Sequence, residues 1–270
     1  MSAAPHGPFV TPALVECAVA NLDGVAGQRL MIVLRAPGCA WARAPRGGCT
    51  NCGFAGGENG LATGGIPVGP AEYAQQLETA LAGRQLASVH QVDLFVSGSF
   101  FHDGEVPPAA RELLLGRIGR EPAVRRVLVE SRPEYVTPDR VRAARAALGS
   151  RATLEVGIGL ESADDDVREV LVRKGFGRAD FERAADALAA GGARLLAYVL
   201  VKPLGVDEAR AEEDAVASVR YGFEVAAAIF GRQGHPRPAF IRLTAPNEPA
   251  KQVLADPEVD SRRYPNLWNL

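Results

Sequence analysis

Short apolar segments alternate along the chain with longer segments in which apolar and polar residues follow a helical period. The apolar segments, rich in Val, Leu and Ile, predict strands at 29–35, 91–97, 125–130, 153–160, 194–201 and 239–244. The amphipathic or Ala-rich segments between them predict helices at 70–87, 108–120, 137–148, 164–173, 178–190 and 207–230. A further short helix is predicted at 13–21, ahead of the first strand.

This alternation predicts an α/β protein with a parallel sheet. The segments 94–96, 127–129 and 196–200 are almost continuously apolar, which is typical of parallel strands covered on both faces. A doubly wound sheet and a barrel both fit such a series. Every predicted strand ends in polar or glycine residues, and in a parallel barrel those ends share one mouth. Because the repeat is too short to close an eight-stranded barrel, we predict a partial (β/α)6 barrel of the TIM type.

The domain organisation follows from these elements. We predict an N-terminal leader at 1–28, a barrel at 29–245 with a cysteine-rich loop at 36–55, and a C-terminal extension at 246–270 that packs on the barrel. The leader contains Cys17 in an apolar setting, which favours a thiol packed against the core. No linker separates a second domain.

Composition narrows the function classes. The 270 residues include 30 Lys and Arg and 32 Asp and Glu, interspersed, for a net charge of −2, so strong electrostatic binding to nucleic acid finds no support. No apolar run is long enough for a membrane span, and the N-terminus does not resemble a signal peptide. Clustered cysteines do not resemble a secreted disulfide framework, so we expect a reducing, cytoplasmic setting.

The chemistry-bearing feature is a loop that holds Cys39, Cys49 and Cys52 within fourteen residues, just after the first predicted strand. A structural zinc site would need a fourth ligand, which Cys17 or His90 would have to supply. A redox pair formed by Cys49 and Cys52 is a second interpretation. The third is a [4Fe–4S] cluster held by three thiolates, with one iron left open.

The loop resembles the cluster-binding loop of radical S-adenosylmethionine (radical SAM) enzymes, in the longer-spaced subgroup related to Elongator-type acetyltransferase domains. The resemblance continues through short strings, in order, at 96–101, 129–135, 155–162, 173–176, 198–203 and 265–268. Taken together, these strings are most similar to the radical SAM subunits of archaeosine synthase. The resemblance covers roughly residues 29–270.

The resemblance implies that Cys39, Cys49 and Cys52 bind a [4Fe–4S] cluster and that S-adenosyl-L-methionine (SAM) chelates the fourth iron. It further implies an electron donor such as flavodoxin or ferredoxin, reductive cleavage of SAM, and abstraction of hydrogen from a substrate. We expect a small nucleoside-like or other biosynthetic substrate. A tRNA-modifying lyase of the archaeosine-synthase type is one alternative, and a zinc- or cluster-stabilised binding module without enzyme activity is another.

The same resemblance assigns SAM-binding roles to polar residues at strand ends. The turn formed by Ser97, Gly98 and Ser99 would hold the SAM ammonium through its carbonyls and the Ser99 hydroxyl. Glu130 would accept hydrogen bonds from the ribose hydroxyls, and Arg132 would pair with a carboxylate. An ordinary polar turn and an exposed ion pair are the alternative interpretations of these two segments.

The fourth and fifth strand ends combine adenine binding with candidate catalytic residues. Gly157 and Ile158 resemble the family's adenine-packing motif. Glu161 would face the substrate pocket, or pair with Lys174 or Lys202. Lys202 would bind an acidic group or balance the Glu161 carboxylate. Glu161 and Lys202 are therefore the candidate catalytic residues.

Other polar residues near the predicted mouth are given lesser roles. His102, Asp103 and Glu105 follow the second strand and are expected to form a solvated turn. Trp41 and Arg43, within the cysteine loop, are expected to shield the cluster from water, which would affect its potential.

Overall fold

A computed structural model of the chain describes residues 9–22, 24–45, 47–52, 61–232 and 239–244. Its strands are β1 (Leu14–Leu22), β2 (Val25–Leu34), β3 (Val89–Val96), β4 (Arg126–Glu130), β5 (Thr153–Glu161), β6 (Arg194–Leu200) and β7 (Ala239–Thr244). Its α-helices are α1 (Pro70–Leu81), α2 (Pro108–Gly119), α3 (Pro138–Leu148), α4 (Arg178–Ala190) and α5 (Glu208–Arg232).

The strands form one sheet in which spatial order equals sequence order, from β1 to β7. Strands β2 to β7 are parallel, and β1 joins β2 antiparallel. A doubly wound sheet reverses its strand order at a switch point, whereas a barrel does not. Six parallel strands in unbroken order, with helices between them, confirm the predicted partial (β/α)6 barrel.

Alternate residues of each parallel strand serve different purposes, as β5 illustrates. Leu154, Val156, Ile158 and Leu160 are fully buried in the main apolar core, which the helices cover. The residues between them, which include two glycines and two glutamates, point to the opposite, inner face of the sheet. On β5 the apolar core therefore lies between sheet and helices, and the inner side of this strand carries polar residues and glycines.

The helix predicted at 13–21 is wrong, because β1 occupies this segment and pairs along its whole length with β2. Leu22 pairs with Val25, so only two residues, Asp-Gly in the sequence, connect the strands. Gly24 has φ +89°, and an Asp-Gly pair between apolar segments is a strong hairpin signal. The prediction for Cys17 is also wrong: its side chain is exposed on β1 and is not packed in the core.

Two predicted helices differ in extent from those observed. The helix predicted at 70–87 ends at Leu81, shortly before Gly83 adopts a left-handed φ of +70°. The segment predicted as an α-helix at 164–173 is a six-residue π-helix, Asp166–Leu171. The predicted C-terminal extension at 246–270 lies outside the described residues. None of the described helices is long and apolar enough to cross a membrane.

Candidate functional site

A cavity of about 320 Å³ lies at the carboxyl ends of the parallel strands. This is the mouth of the partial barrel, and the volume falls at the lower end of the range of small-molecule sites. One wall comes from the cysteine loop. The remaining walls come from the ends of β3 to β7 and from the segment that precedes α4. Polar residues at the ends of β3, β4, β5 and β7 therefore share one mouth, as expected, whereas Lys202, after β6, does not line it.

The three loop cysteines, Cys39, Cys49 and Cys52, all line this cavity. All three are half-buried and free of disulfides, and burial raises the pKa of the Cys39 thiol. Within the described ranges, no three His, Cys, Asp or Glu side chains are arranged to hold a single metal ion. The ligands of a cubane cluster bind different irons, so they do not converge on one ion.

The cysteine loop is attached to the segment that follows the π-helix. The Thr50 backbone N–H donates to the carbonyl oxygen of Val172 (N to O, 2.9 Å), and its hydroxyl donates to that of Leu171 (O to O, 2.6 Å). The Trp41 indole N–H donates to the carbonyl oxygen of Arg173 (N to O, 2.9 Å). Both ends of the loop are therefore fixed to residues 171–173.

The Arg132 side chain is sandwiched between two aromatic rings on the same side of the cavity, which Arg132 and Phe176 line. The Arg132 guanidinium lies 5.1 Å from the Trp41 ring centroid and 5.6 Å from that of Phe176. At these distances, cation–π attraction joins the cysteine loop to the end of β4. Arg132 also pairs with Glu134, with Nε 2.5 Å from Oε1. A Cβ atom on Gly175 would overlap the Trp41 ring, so glycine is required for this packing.

Two buried serine hydroxyls lie in the cavity wall. Ser97 follows β3 and Ser131 follows β4, and both are almost fully buried. Within the part of the chain that the structure describes, neither hydroxyl has a hydrogen-bond partner. Buried polar atoms in folded proteins are normally bonded, so these hydroxyls are suited to a polar ligand. Gly98 lines the cavity beside Ser97, whereas the Ser99 hydroxyl accepts from the Arg132 backbone N–H (O to N, 3.1 Å).

The solvated-turn prediction is wrong for Glu105, which is 1% exposed. Its carboxylate accepts from the Ala40 backbone N–H (2.7 Å) and from the Ser99 backbone N–H (2.5 Å). Burial raises the pKa of the Glu105 carboxyl, and these two N–H donors oppose that effect. Asp103, by contrast, is half-exposed, pairs with Arg111 of α2 and does not line the cavity. The apolar residues at 100–101 and 106, on either side of this segment, are the sequence signal that could have indicated the burial of Glu105.

Glu130 and Tyr198 form a hydrogen-bonded pair in the cavity wall. The Tyr198 hydroxyl donates to Glu130 Oε1 at 2.6 Å. Burial raises the pKa of the Glu130 carboxyl, and the hydrogen bond from Tyr198 opposes part of this effect. A Cβ atom on Gly157 would lie 2.8 Å from the Tyr198 ring, so the glycine predicted at this position leaves room for the pair.

The raised pKa of Glu130 predicts a pH-dependent stability. A protonated Glu130 contributes stability that is fully present below the ordinary glutamic acid pKa of about 4.3 and is lost as pH rises through the raised pKa. The Glu130→Gln variant carries no such charge and keeps an acceptor for Tyr198. Its free energy of unfolding, relative to the original protein, should therefore increase from about pH 4 to about pH 8. Urea unfolding at several pH values measures this, and a constant difference would contradict it.

The two candidate catalytic residues are separated. Glu161 lines the cavity and pairs with Lys174, with Oε1 3.2 Å from Nζ. Lys202 does not line the cavity, and its Nζ lies 2.5 Å from Glu208 Oε1 at the start of α5. Of the two pairings predicted for Glu161, the one with Lys174 is therefore observed and the one with Lys202 is not.

Ile158, predicted to pack on adenine, is fully buried on the helix side of β5 and does not line the cavity.

The backbone around the Glu161–Lys174 pair is unusual. Glu161 and Arg173 have φ of +63° and +60°, a region that non-glycine residues seldom adopt. Glu161 follows a register shift in the pairing of β5 with β6, and such bulges re-aim side chains. A Cβ atom on Gly159 would lie 2.6 Å from Glu161 Oε1 and 2.7 Å from Lys174 Nζ. Strained backbone of this kind is concentrated at functional sites.

Comparison with known proteins identifies relatives. No protein-family model matches the chain. Over 198 residues it is 34% identical to archaeosine synthase subunit beta of Methanosarcina acetivorans, a match that covers 73% of this chain and 55% of that protein. It is 36% identical over 128 residues to the protein of the same name from Thermococcus kodakarensis, covering 47% and 39%. The chain thus spans about half the length, or less, of these curated relatives. The resemblance predicted from the motifs is confirmed.

Solved structures give a more distant likeness. The radical S-adenosylmethionine methyltransferase TsrM from Kitasatospora setae, with cobalamin and a [4Fe-4S] cluster bound, matches 80% of this chain and 34% of its own, with a TM-score of 0.44 and 16% identity. The same enzyme with tryptophan and a SAM analogue matches 73% and 33%, with a TM-score of 0.42.

Proposed function

The chain is a homologue of archaeosine synthase beta subunits over 73% of its length, and on this premise we propose that it is a radical SAM enzyme acting on a nucleoside-like substrate. The observation that carries the proposal is the position of Cys39, Cys49 and Cys52. They come from one loop and line the same cavity as the carboxyl ends of the parallel strands. That edge of a parallel barrel is where active sites form.

The residues present fit a [4Fe–4S] cluster and SAM. Three thiol side chains supply the soft donors that iron–sulfur clusters bind. The unpartnered hydroxyls of Ser97 and Ser131, taken over the described residues, suit polar groups of SAM or substrate. Cys39, Cys49 and Cys52 would hold the cluster, and the Ser97–Gly98 turn would bind SAM beside it. Bound together and given one electron by the proposed donor protein, cluster and SAM would supply the chemistry that removes a hydrogen atom from an unactivated carbon, with methionine released.

The chain's own residues would bind and orient the ligands. Glu130, held by Tyr198, offers its second carboxylate oxygen to a hydroxyl donor such as ribose. Lys174 and Glu161 present an ammonium and a carboxylate to the cavity, where they would bind polar groups of the substrate. The sandwich of Trp41, Arg132 and Phe176 would exclude water from that side. We propose no catalytic role for Lys202, because its ion pair with Glu208 lies outside the cavity.

Anaerobic reconstitution tests the proposal. Protein treated with iron and sulfide should bind about four irons per chain, as one cubane cluster requires. With a reductant such as dithionite it should release 5′-deoxyadenosine from SAM. Stoichiometric zinc in the purified protein, with no cluster uptake and no SAM cleavage, would instead support a metal-stabilised binding module and overturn the enzyme proposal. Reduced flavodoxin or ferredoxin should replace dithionite, since we propose such a protein as the electron donor.

A tRNA-modifying lyase of the archaeosine-synthase type is the second candidate, and the names of the two relatives favour it. The net charge of −2 supplies no excess of cations for a polynucleotide. Binding to tRNA at increasing salt distinguishes the candidates. A protein that contacts phosphates should lose affinity steeply as salt rises, whereas a nucleoside should bind with little salt dependence.

A further inference from the structure

One buried carboxylate connects the cysteine loop to the turn at the end of β3. Glu105 lies in the turn before α2, and its two carboxylate oxygens accept from two different segments. Oε1 accepts from the N–H of Ala40, the residue after Cys39, and Oε2 accepts from the N–H of Ser99. The cysteine loop and the turn after β3 are far apart in sequence, and the Glu105 side chain is hydrogen-bonded to both.

The space around this carboxylate is shaped to keep it there. A Cβ atom on Gly98 would overlap Glu105 Oε2 and would lie 3.1 Å from the Cα atom of Cys39. The Gly98 backbone therefore packs closely against both the Glu105 carboxylate and the Cys39 backbone. On the other side, the Tyr73 hydroxyl of α1 donates to the Glu105 carbonyl oxygen at 2.5 Å, which fixes the turn itself.

We infer that Glu105 is a positioning residue that sets the cysteine loop and the β3 turn relative to each other. This inference rests on the proposed function, in which Cys39 binds the cluster and Ser97 and Gly98 bind SAM. Glu105 does not line the cavity, so it acts through the backbone of these residues. Residues that orient metal ligands without touching the metal commonly change metal affinity by about 10–100-fold when they are replaced.

Because one Glu105 carboxylate holds both segments, its loss has a specific expected effect. Loss of Glu105 should loosen two binding events together: retention of the cluster and affinity for SAM. A residue that only supported the loop would speed the release of iron, but molecules that still carry the cluster would bind SAM normally. A residue that only supported the turn would weaken SAM binding without any change in iron release. Asp103 provides a matched control, because it is an acid of the same turn whose partners, Arg111 and Arg140, lie on α2 and α3.

The experiment compares Glu105→Ala, Glu105→Gln and Asp103→Asn with the original protein, each reconstituted with iron and sulfide. Iron release to a chelator, the dissociation constant for SAM, and the change that SAM causes in the electron paramagnetic resonance spectrum of the reduced cluster are measured. We expect Glu105→Ala to release iron about tenfold faster and to bind SAM about tenfold more weakly. Asp103→Asn should change neither.

Glu105→Gln keeps the size of the side chain and carries the test if the alanine variant does not fold. Its amide offers one acceptor oxygen to two N–H donors, so both effects should remain, at smaller magnitude. An unchanged spectrum, iron release and SAM affinity in the glutamine variant, or a change in only one of the two binding events, would overturn the inference. If the original protein takes up no cluster, the proposed function itself fails, and this is distinguishable because it precedes any variant.

Discussion

Replacing Cys49 by serine is expected to abolish cluster binding and to reduce the release of 5′-deoxyadenosine from SAM to background. Cys49 lines the cavity and packs against the small apolar cluster that includes Val167 and Val172. Serine is nearly the same size, so this packing should survive, but its hydroxyl is a poor ligand for iron compared with a thiolate. Visible absorbance and iron content measure the loss without reference to activity.

Cys17 supplies the matched control for this variant. It is exposed on β1 and does not line the cavity, so Cys17→Ser should load the cluster and cleave SAM as the original protein does. Equal iron content and SAM cleavage in Cys49→Ser and Cys17→Ser would show that Cys49 is not a cluster ligand. Loss in both variants would point to an unforeseen role for Cys17.

Replacing Arg168 by alanine is expected to cause the largest loss of stability. This side chain is 1% exposed and lies in the π-helix. Its Nε donates to the carbonyl oxygen of Phe176 at 3.0 Å, and its Nη1 donates to that of Ser162 at 3.2 Å. It therefore ties the end of β5 to the segment that holds the cysteine loop. The backbone between these points contains the strained Arg173.

Alanine would leave both buried carbonyl oxygens without their donor and would open a cavity. Since an unsatisfied buried polar group costs about 1–3 kcal/mol, we expect the free energy of unfolding to fall by about 3 kcal/mol. Urea denaturation measures it. Arg183→Ala is the control, because Arg183 is exposed and pairs with Asp180 of the same helix. This variant should change stability by about 0.5 kcal/mol or less. Equal effects of the two variants would contradict the role given to Arg168.

The partial barrel and the cysteine loop could be predicted from the sequence because both depend on local patterns. Apolar strands, helical periods and polar strand ends are visible within about ten residues, and the cysteine spacing is visible within fourteen. The hairpin at β1 was missed although its signal, Asp23-Gly24, is equally local. The error came from giving helical periodicity priority over turn chemistry.

The role of Glu105 could not be predicted from the sequence, because it depends on contacts between distant segments. Its carboxylate meets the backbone of Ala40, 65 positions away, and only the register of β2 against β3 brings the two together. The separation of Glu161 from Lys202 has a similar cause. The two residues lie at the ends of neighbouring strands, but Lys202 pairs with Glu208 on α5. No local sequence pattern predicts this ion pair.

The division of β5 between an apolar side that faces the helices and a polar inner side has an evolutionary consequence. On β5, the residues that hold the core alternate with Gly157, Gly159 and Glu161, which line the cavity. A substitution of Glu161 leaves these core contacts intact and changes a charge that faces the cavity, whereas a side chain at Gly157 or Gly159 would overlap Tyr198 or the Glu161–Lys174 pair. The same scaffold can therefore diversify its chemistry while the alternate positions remain under selection for packing alone.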